Sequence, residues 1–412
     1  MAYICADPGV PVFGRKGCSI HVQEMVRAMR ALGVDVELFA VRRGGQAPSD
    51  LAGVVVHDLP VAPAEGRGAR ERALAGSNGV WRGCVARSGP FDAVYERQSL
   101  WSHAVLEWAR ETGVPALLEV NAPLVEEQVV HRGLDDEAGA RLIVRRSMAA
   151  ASGLLAVSDE VGAYLGGYQE ALGKVAVVPN GVNAGRFARA LTLRRQRRIA
   201  GRGGEVVIGF VGTLKPWHGT DLLLEAYRAW GGGRGGSGGM GRSRLLIVGD
   251  GPERERLETQ AEASGLAGRV RFTGAVDAED VPDWLGAMDI AVAPYPSLDG
   301  FYFSPLKVYE YMAAGLPVVA SRIGQLERIL TDGVTGVLVS PGDTREMASA
   351  IGCLASDPAY RERLGWAARA AVEARHTWLS VATRIVHWMK AAGVRTGGGT
   401  IGSSVVLEGV EA

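Results

Sequence analysis

Residues 206–227 read VVIGFVGTLKPWHGTDLLLEAY, and the fold turns on how that stretch is parsed. VVIGFVG is a short, β-branched apolar run of strand length. TLKPWHG is loop-like, with Pro216 and Gly219 as breakers, and a helix opens near Gly219–Thr220. Strand, polar loop and helix form the repeating unit of a parallel sheet. Toward the C-terminus the rhythm continues through strands RLLIVGDG (244–251), VRFTG (270–274), IAVAPY (290–295), PVVAS (317–321) and TGVLVS (335–340). Toward the N-terminus it runs through AYICA (2–6), DVELFAV (35–41), VVVHDL (54–59), AVYER (93–97), ALLEV (116–120), GLLAVS (153–158) and VAVVPN (175–180). Between the first two of these, Ile20, Val22, Met25, Val26, Met29 and Leu32 fall at helical spacing. Strands this continuously apolar need cover on both faces. The expected class is α/β, two Rossmann-like doubly wound domains facing each other across a cleft.

A chain of 412 residues is too long for one core, which agrees with two domains. The domains are expected at 1–184 and 185–375, and the tail 392–412 is Gly-rich and predicted disordered. The basic stretch RFARALTLRRQRRIAGRGG (from 186) predicts a solvated linker with one surface helix, an anionic-membrane contact being the alternative. GGGRGGSGGMG (231–241) predicts a flexible insertion loop. Trp378, Ala382, Ile385, Val386 and Met389 share one face of the last helix, so it packs on something.

Formal net charge is zero, which argues against a nucleic-acid binder. The four cysteines have no CxxC spacing, so neither a zinc site nor a disulfide framework is expected. No run is long and apolar enough for a transmembrane span, and the N-terminus lacks a signal-peptide pattern, so a cytoplasmic location is expected.

The polar oddities fall in loops after strands, where open α/β sheets bind ligands. DPGVPVFGRKGCSIH carries Gly14 and Gly17 before a helix start; a plain Gly-rich turn and an anion cradle both fit it. Its spacing is not GxGxxG, which disfavours a nicotinamide dinucleotide. Lys215 and His218 sit beside a helix N-terminus, an unfavourable place for a cation unless an anion joins it. In SPLKVYEYMAAG (304–315), Pro305 suits a first helical turn, and the amides of Leu306 and Lys307 would be free to donate. Glu310 lies one turn on from Leu306, where a carboxylate suits a ribose diol. Three anion-suited loops together point to a diphosphate-linked ligand. No metal-ligand spacing accompanies them, so no metal is expected.

FVGTLKPWHGTDLLLEAY, LLIVGDGPERERLE, FTGAV, SPLKVYEYMAAGLPVVAS and VVPNGVN resemble the GT-B retaining glycosyltransferases of family 4. The likeness is strong over 170–350 and continues through FGRKGCSIHVQE, YERQSLWS and LLEVNAPLVEEQ. It implies a nucleotide-sugar donor (UDP-, GDP- or ADP-linked) on the C-terminal domain and a small-molecule or lipid-linked acceptor on the N-terminal one. It also implies a C-terminal helix at 376–391 crossing back to the N-terminal domain. By the same likeness Glu310 would bind the ribose, and Ser304, Pro305, Leu306 and Lys307 would form the phosphate turn. Gly14 and Gly17 would lie near the donor phosphates, with Gly249 and Gly274–Val276 shaping the nucleotide pocket. The chain departs from the pattern at several positions. The first Glu of E-x7-E falls on Tyr302, with Asp299 the nearest carboxylate. The clamp Arg and Lys fall on Thr213 and His218, with Lys215 able to substitute, and a His after the fifth strand falls on Asn121. The implied reaction is metal-independent transfer with retention, assisted by Lys215, His218, Asn121 and Asp299, in natural-product or cell-envelope biosynthesis. A hydrolysing nucleotide-sugar epimerase and a non-catalytic nucleotide-sugar-binding protein are the alternatives.

Overall fold

The computed structural model describes residues 1–200, 204–231, 242–298, 301–302 and 304–396. The expected insertion loop from 232 on, Asp299 and the tail from 397 lie outside the described residues. The strands read from the sequence all form. β1 (Ala2–Cys5), β2 (Glu37–Ala40), β3 (Val55–Asp58), β4 (Val94–Arg97), β5 (Ala116–Val120), β6 (Gly153–Ala156) and β7 (Val175–Val177) make one parallel sheet, in the order β3-β2-β1-β4-β5-β6-β7. β8 (Glu205–Val211), β9 (Arg242–Val248), β10 (Val270–Phe272), β11 (Ile290–Ala293), β12 (Val318–Ser321) and β13 (Val337–Val339) make a second, in the order β10-β9-β8-β11-β12-β13. In each sheet the chain order reverses once, between β1 and β4 and between β8 and β11. The loops leaving those pairs diverge to opposite faces and leave a crevice beyond the strands' carboxyl ends.

Alternation along the strands supplies a core on each face. Tyr3 and Cys5 pack with Met25 and Met29 on one side of the first sheet. Ile4, Leu118 and Leu154 pack with Trp81 on the other. The last helix, Trp378–Thr396, inserts Trp378, Val381, Ala382, Ile385 and Met389 into the core of the first sheet, not the second. Its chain arrives through a short bridge: the Val182 amide donates to the His376 carbonyl (2.8 Å) and the Trp378 amide to the Val182 carbonyl (3.3 Å). Further seams join the halves. Arg15 pairs with Asp277 (2.7 Å), Arg186 with Glu24 (3.0 Å) and Arg328 with Asp159 (3.1 Å). Gln325 Nε2 donates to the Val157 carbonyl (2.6 Å).

The basic stretch departs from expectation. Helix Ala188–Ile199 is docked, with Ala190 wholly buried. Arg194 donates to the Ala314 carbonyl, and Arg197 to the carbonyls of Gly286 (3.3 Å) and Ala287 (2.6 Å). These are orphan carbonyls at the ends of helices Leu306–Ala313 and Val281–Gly286. The arginines therefore cap neighbouring helices, which favours cations there. Among the described residues no helix is long and apolar enough to cross a membrane.

Candidate functional site

The switch point of the second sheet gathers most of the polar residues picked out from the sequence. Gly212 follows the end of β8, and the backbone just after β9 passes against it. Gly249 has φ 132°, and a Cβ there would lie 2.0 Å from the Gly212 carbonyl oxygen, so no larger residue fits. The Gly249 amide donates to the Gly274 carbonyl (3.1 Å), tying the Gly274–Val276 segment to the same edge. Val276 is half-buried against the second domain's core.

Lys307 is the second residue of helix Leu306–Ala313. Its ammonium lies 4.4 Å from the centroid of the Phe210 ring and 5.2 Å from that of Tyr295, the two rings coming from either side of the switch point. It has no hydrogen-bond partner among the described residues. Burial pushes it down to about 7, with Glu310 opposing. Two cation–π contacts offset only part of the cost of taking an ammonium out of water. An anion at this point would supply the rest.

His218 completes the pocket. Its Nδ1 bonds the Thr213 carbonyl, so in the neutral ring Nδ1–H donates and Nε2 keeps its lone pair. Burial drives it down to about 3; Lys307 and Lys215 act in the same direction, and the Thr213 carbonyl opposes them. Thr213 is exposed and contributes that carbonyl. Lys215 stays half-exposed at the rim, 5.5 Å from the Trp217 ring centroid.

One expectation for the phosphate turn fails. Pro305 precedes the helix as its N-cap, and the Leu306 amide donates to the Ser304 carbonyl (3.0 Å). With φ −81° and ψ 85°, Pro305 folds the chain back on itself, and that tight turn consumes the amide expected to be free. Across the cleft, Gly14 closes a turn onto the Pro11 carbonyl (2.9 Å), and Gly17 opens helix Gly17–Ala31. A Cβ on Gly17 would lie 3.8 Å from Leu306 Cδ1, so the two Gly/Pro turns face each other.

Glu310 and Leu306 line one crevice, as their helical spacing predicts, together with Glu24, Asn183, Arg186 and Trp378. Burial raises Glu310 to about 7; Arg186 opposes this, Glu24 adds to it, and Lys307 opposes it. Asn121 lies apart, just beyond β5. Its Nδ2 is buried without a hydrogen-bond partner among the described residues. Two residues back, Glu119 sits 2.7 Å from His21 Nε2 and 3.7 Å from Arg97. Tyr302 turns away from the second domain: its hydroxyl donates to Glu127 Oε2 (3.4 Å), and its carbonyl accepts from Ser158 Oγ (3.0 Å). Sequence reasoning missed Phe210, Tyr295, Glu24, Arg186 and Glu127. Glu24, Glu127 and Phe210 lie inside stretches that resemble the family, and Arg186 lies just after VVPNGVN, but none of these stretches marked which residue would face the site. The two rings look like ordinary core residues.

Comparison with known proteins agrees with this architecture. The family model described as "Glycosyl transferases group 1" matches residues 205–357, and "Glycosyl transferase 4-like domain" matches residues 16–181. The D-inositol 3-phosphate glycosyltransferase of Streptomyces scabiei is 32% identical over 87% of this chain and 82% of its own. Among solved structures, sucrose-phosphate synthase from Thermosynechococcus elongatus superposes with TM-score 0.74 at 21% identity, covering 96% of this chain and 99% of that one. Anabaena HepE in complex with UDP-glucose superposes with TM-score 0.69 at 19% identity, covering 95% and 99%. The two structures show the shared fold.

Proposed function

This chain belongs to the group 1 glycosyl transferases of family 4, with the GT-B fold, and from that premise we propose that it moves a sugar from a nucleoside-diphosphate sugar to an acceptor, with retention and without a metal ion. The observation that carries the proposal is the Lys307 ammonium, buried between Phe210 and Tyr295 with no hydrogen-bond partner among the described residues. A diphosphate is the anion that suits it, and one structural neighbour is a complex with UDP-glucose.

In the proposed step the bond from the sugar's anomeric carbon to the leaving phosphate oxygen breaks, and the acceptor atom bonds to that carbon on the same face. The departing phosphate oxygen takes the acceptor's proton. Negative charge grows on the diphosphate as it leaves, and Lys307 is aimed at that charge in a low-dielectric pocket. His218 joins by taking a proton at Nε2 when the anion arrives, and Lys215 adds charge from the rim. Glu310 would accept the ribose hydroxyls. Glu310→Ala is then expected to weaken nucleotide affinity about 10- to 100-fold, the range for a lost charge-assisted hydrogen bond. Glu310 ionises and Lys307 gives up its proton over the same interval, so wild-type affinity should peak near pH 7, and Glu310→Ala should lose the rising limb. Calorimetry giving equal affinities for variant and wild type would remove Glu310 from the ribose site.

The acceptor is proposed to enter a cavity of about 560 Å³ at the carboxyl ends of β1 and β4, lined in part by Arg67, Arg70, Arg132 and Trp101. One relative is named for D-inositol 3-phosphate, and arginines suit an acceptor bearing a phosphate or carboxylate. A thermal-shift panel of UDP, GDP and ADP with their glucose and mannose conjugates tests the donor side. Protection by one nucleotide family, with nucleotide release that depends on added acceptor, is the expected result. Free nucleotide and an epimerised sugar formed without acceptor would replace transfer by hydrolytic epimerisation.

A further inference from the structure

Tyr302 stands where the family motif carries its first glutamate, and its surroundings show where a carboxylate has gone. The hydroxyl of Tyr302 meets Glu127 Oε2 at 3.4 Å, although the two residues lie 175 positions apart in the chain. Glu127 belongs to helix Leu124–His131, which rises from the loop after β5 in the N-terminal domain. That helix has two working stripes. Leu124, Gln128 and, just past its end, Arg132 follow each other at four-residue spacing and line the arginine-rich cavity. Glu127 and His131, again four apart, look toward the other domain. The His131 ring lies 5.9 Å from Trp217, the ring beneath Lys215. The helix is therefore the wall between the acceptor cavity and the donor pocket.

Glu127 sits at the junction. Its Oε1 accepts from Arg132 Nη2 at 3.0 Å, which fixes the carboxylate to a residue of the cavity. The Tyr302 contact to Oε2 is at the far limit of a hydrogen bond, so that oxygen can still accept a shorter one. Burial, then the Glu127 charge, pushes the Tyr302 hydroxyl upward, so it stays a donor and Glu127 the acceptor. The neighbouring Phe301 ring lies 4.8 Å from Tyr295, whose ring borders both the Lys307 ammonium and His218 (5.9 Å). Position 302 is thus just beyond the ring belt around the anion pocket, where the sugar of a bound donor would begin.

We propose that Glu127, reaching across from the N-terminal domain, supplies the carboxylate that reads the hydroxyls of the transferred sugar, with Tyr302 orienting it. This rests on the donor reading above. It means that the sugar is recognised only when both domains contribute. The nucleotide alone is held by the second domain and the hinge crevice.

The test uses the full chain and the same panel of nucleotides and nucleotide sugars. For wild type, the conjugate should bind more tightly than its bare nucleotide, and one sugar should be preferred over the others. In Glu127→Gln the bare nucleotide should bind as in wild type, while the margin for the conjugate falls at least tenfold and discrimination between glucose and mannose is lost. The double variant Glu127→Gln/Tyr302→Glu, which returns a carboxylate to position 302, should recover at least part of that margin. Equal loss of nucleotide and conjugate binding would make Glu127 a closure contact only, and an unchanged margin would exclude it from the sugar site. Either result overturns the inference. A wild type that responds to no nucleotide or conjugate would instead overturn the donor reading itself.

Discussion

Replacing Lys307 with methionine is expected to lower sugar transfer by about 10²–10³-fold, the loss typical of removing one preorganised group aimed at transition-state charge. It should at the same time leave the ligand-free protein at least as stable as wild type. Both halves of the result come from one geometry. The ammonium lies against two aromatic faces at 4.4 and 5.2 Å and has no hydrogen-bond partner among the described residues. An ionised group in that setting costs folding free energy, and an apolar side chain of similar length does not. The cost is recovered when a diphosphate binds. The pH dependence has a definite sign. Lys307 falls from 10.5 to about 7 on folding, so between those values the unfolded chain binds the extra proton and stability rises with pH. The stability advantage of Lys307→Met should accordingly be largest below about pH 7 and shrink toward pH 10.5. Thermal denaturation of both proteins across that range, paired with initial rates, checks this. Wild-type turnover in Lys307→Met, or a methionine variant less stable at neutral pH, would refute the assignment. Lys215→Ala should cost far less activity, because the half-exposed rim cation is screened by solvent.

The contrast between the two lysines shows what the sequence could carry. Lys215 precedes a helix next to a histidine, so its position looks active from local pattern alone. Lys307 gains its importance from Phe210 and Tyr295, residues of two adjacent strand ends that are far apart in the chain and read as core when met singly. The strands themselves were legible because buried parallel strands are locally distinctive, near-continuous β-branched and apolar runs. The placement of Glu310 and Leu306 in one crevice was legible because helical spacing is local as well. The state of the Leu306 amide was not, since it depends on how Pro305 bends the chain. The arginines of helix Ala188–Ile199 looked like a solvated face because the helix ends they cap lie 89 to 120 residues away. Tyr302 was visible as a departure, but the carboxylate facing it comes from the other domain.

Glu119→Gln is expected to cost about 3–5 kcal/mol of folding stability, the penalty for breaking a buried ion pair from one side. Glu119 is 3% exposed at the end of β5, between His21 Nε2 at 2.7 Å and the Arg97 guanidinium at 3.7 Å. Burial pushes its carboxyl up, but His21 and then Arg97 outweigh it, and the group stays below the usual carboxylate range. A depressed carboxylate adds stability above the unfolded-state value of 4.5, and that stability is lost as pH falls through the folded value. The gap between wild type and Glu119→Gln should hold near neutrality and close in acid. Arg97 would be left facing a neutral amide with its counter-charge gone, which is why the cost exceeds that of one neutral hydrogen bond. The damage should also travel. The His21 ring packs edge-on against Trp378 at 5.0 Å, and Trp378 anchors the helix that returns from the second domain. Hydrogen exchange in 376–391 should therefore quicken more than exchange in the second sheet. Urea titrations at pH 7 and pH 4 decide the matter. Equal midpoints at pH 7, or a gap that does not narrow in acid, would show that Glu119 is not the charge holding β4, β5 and the returning helix together.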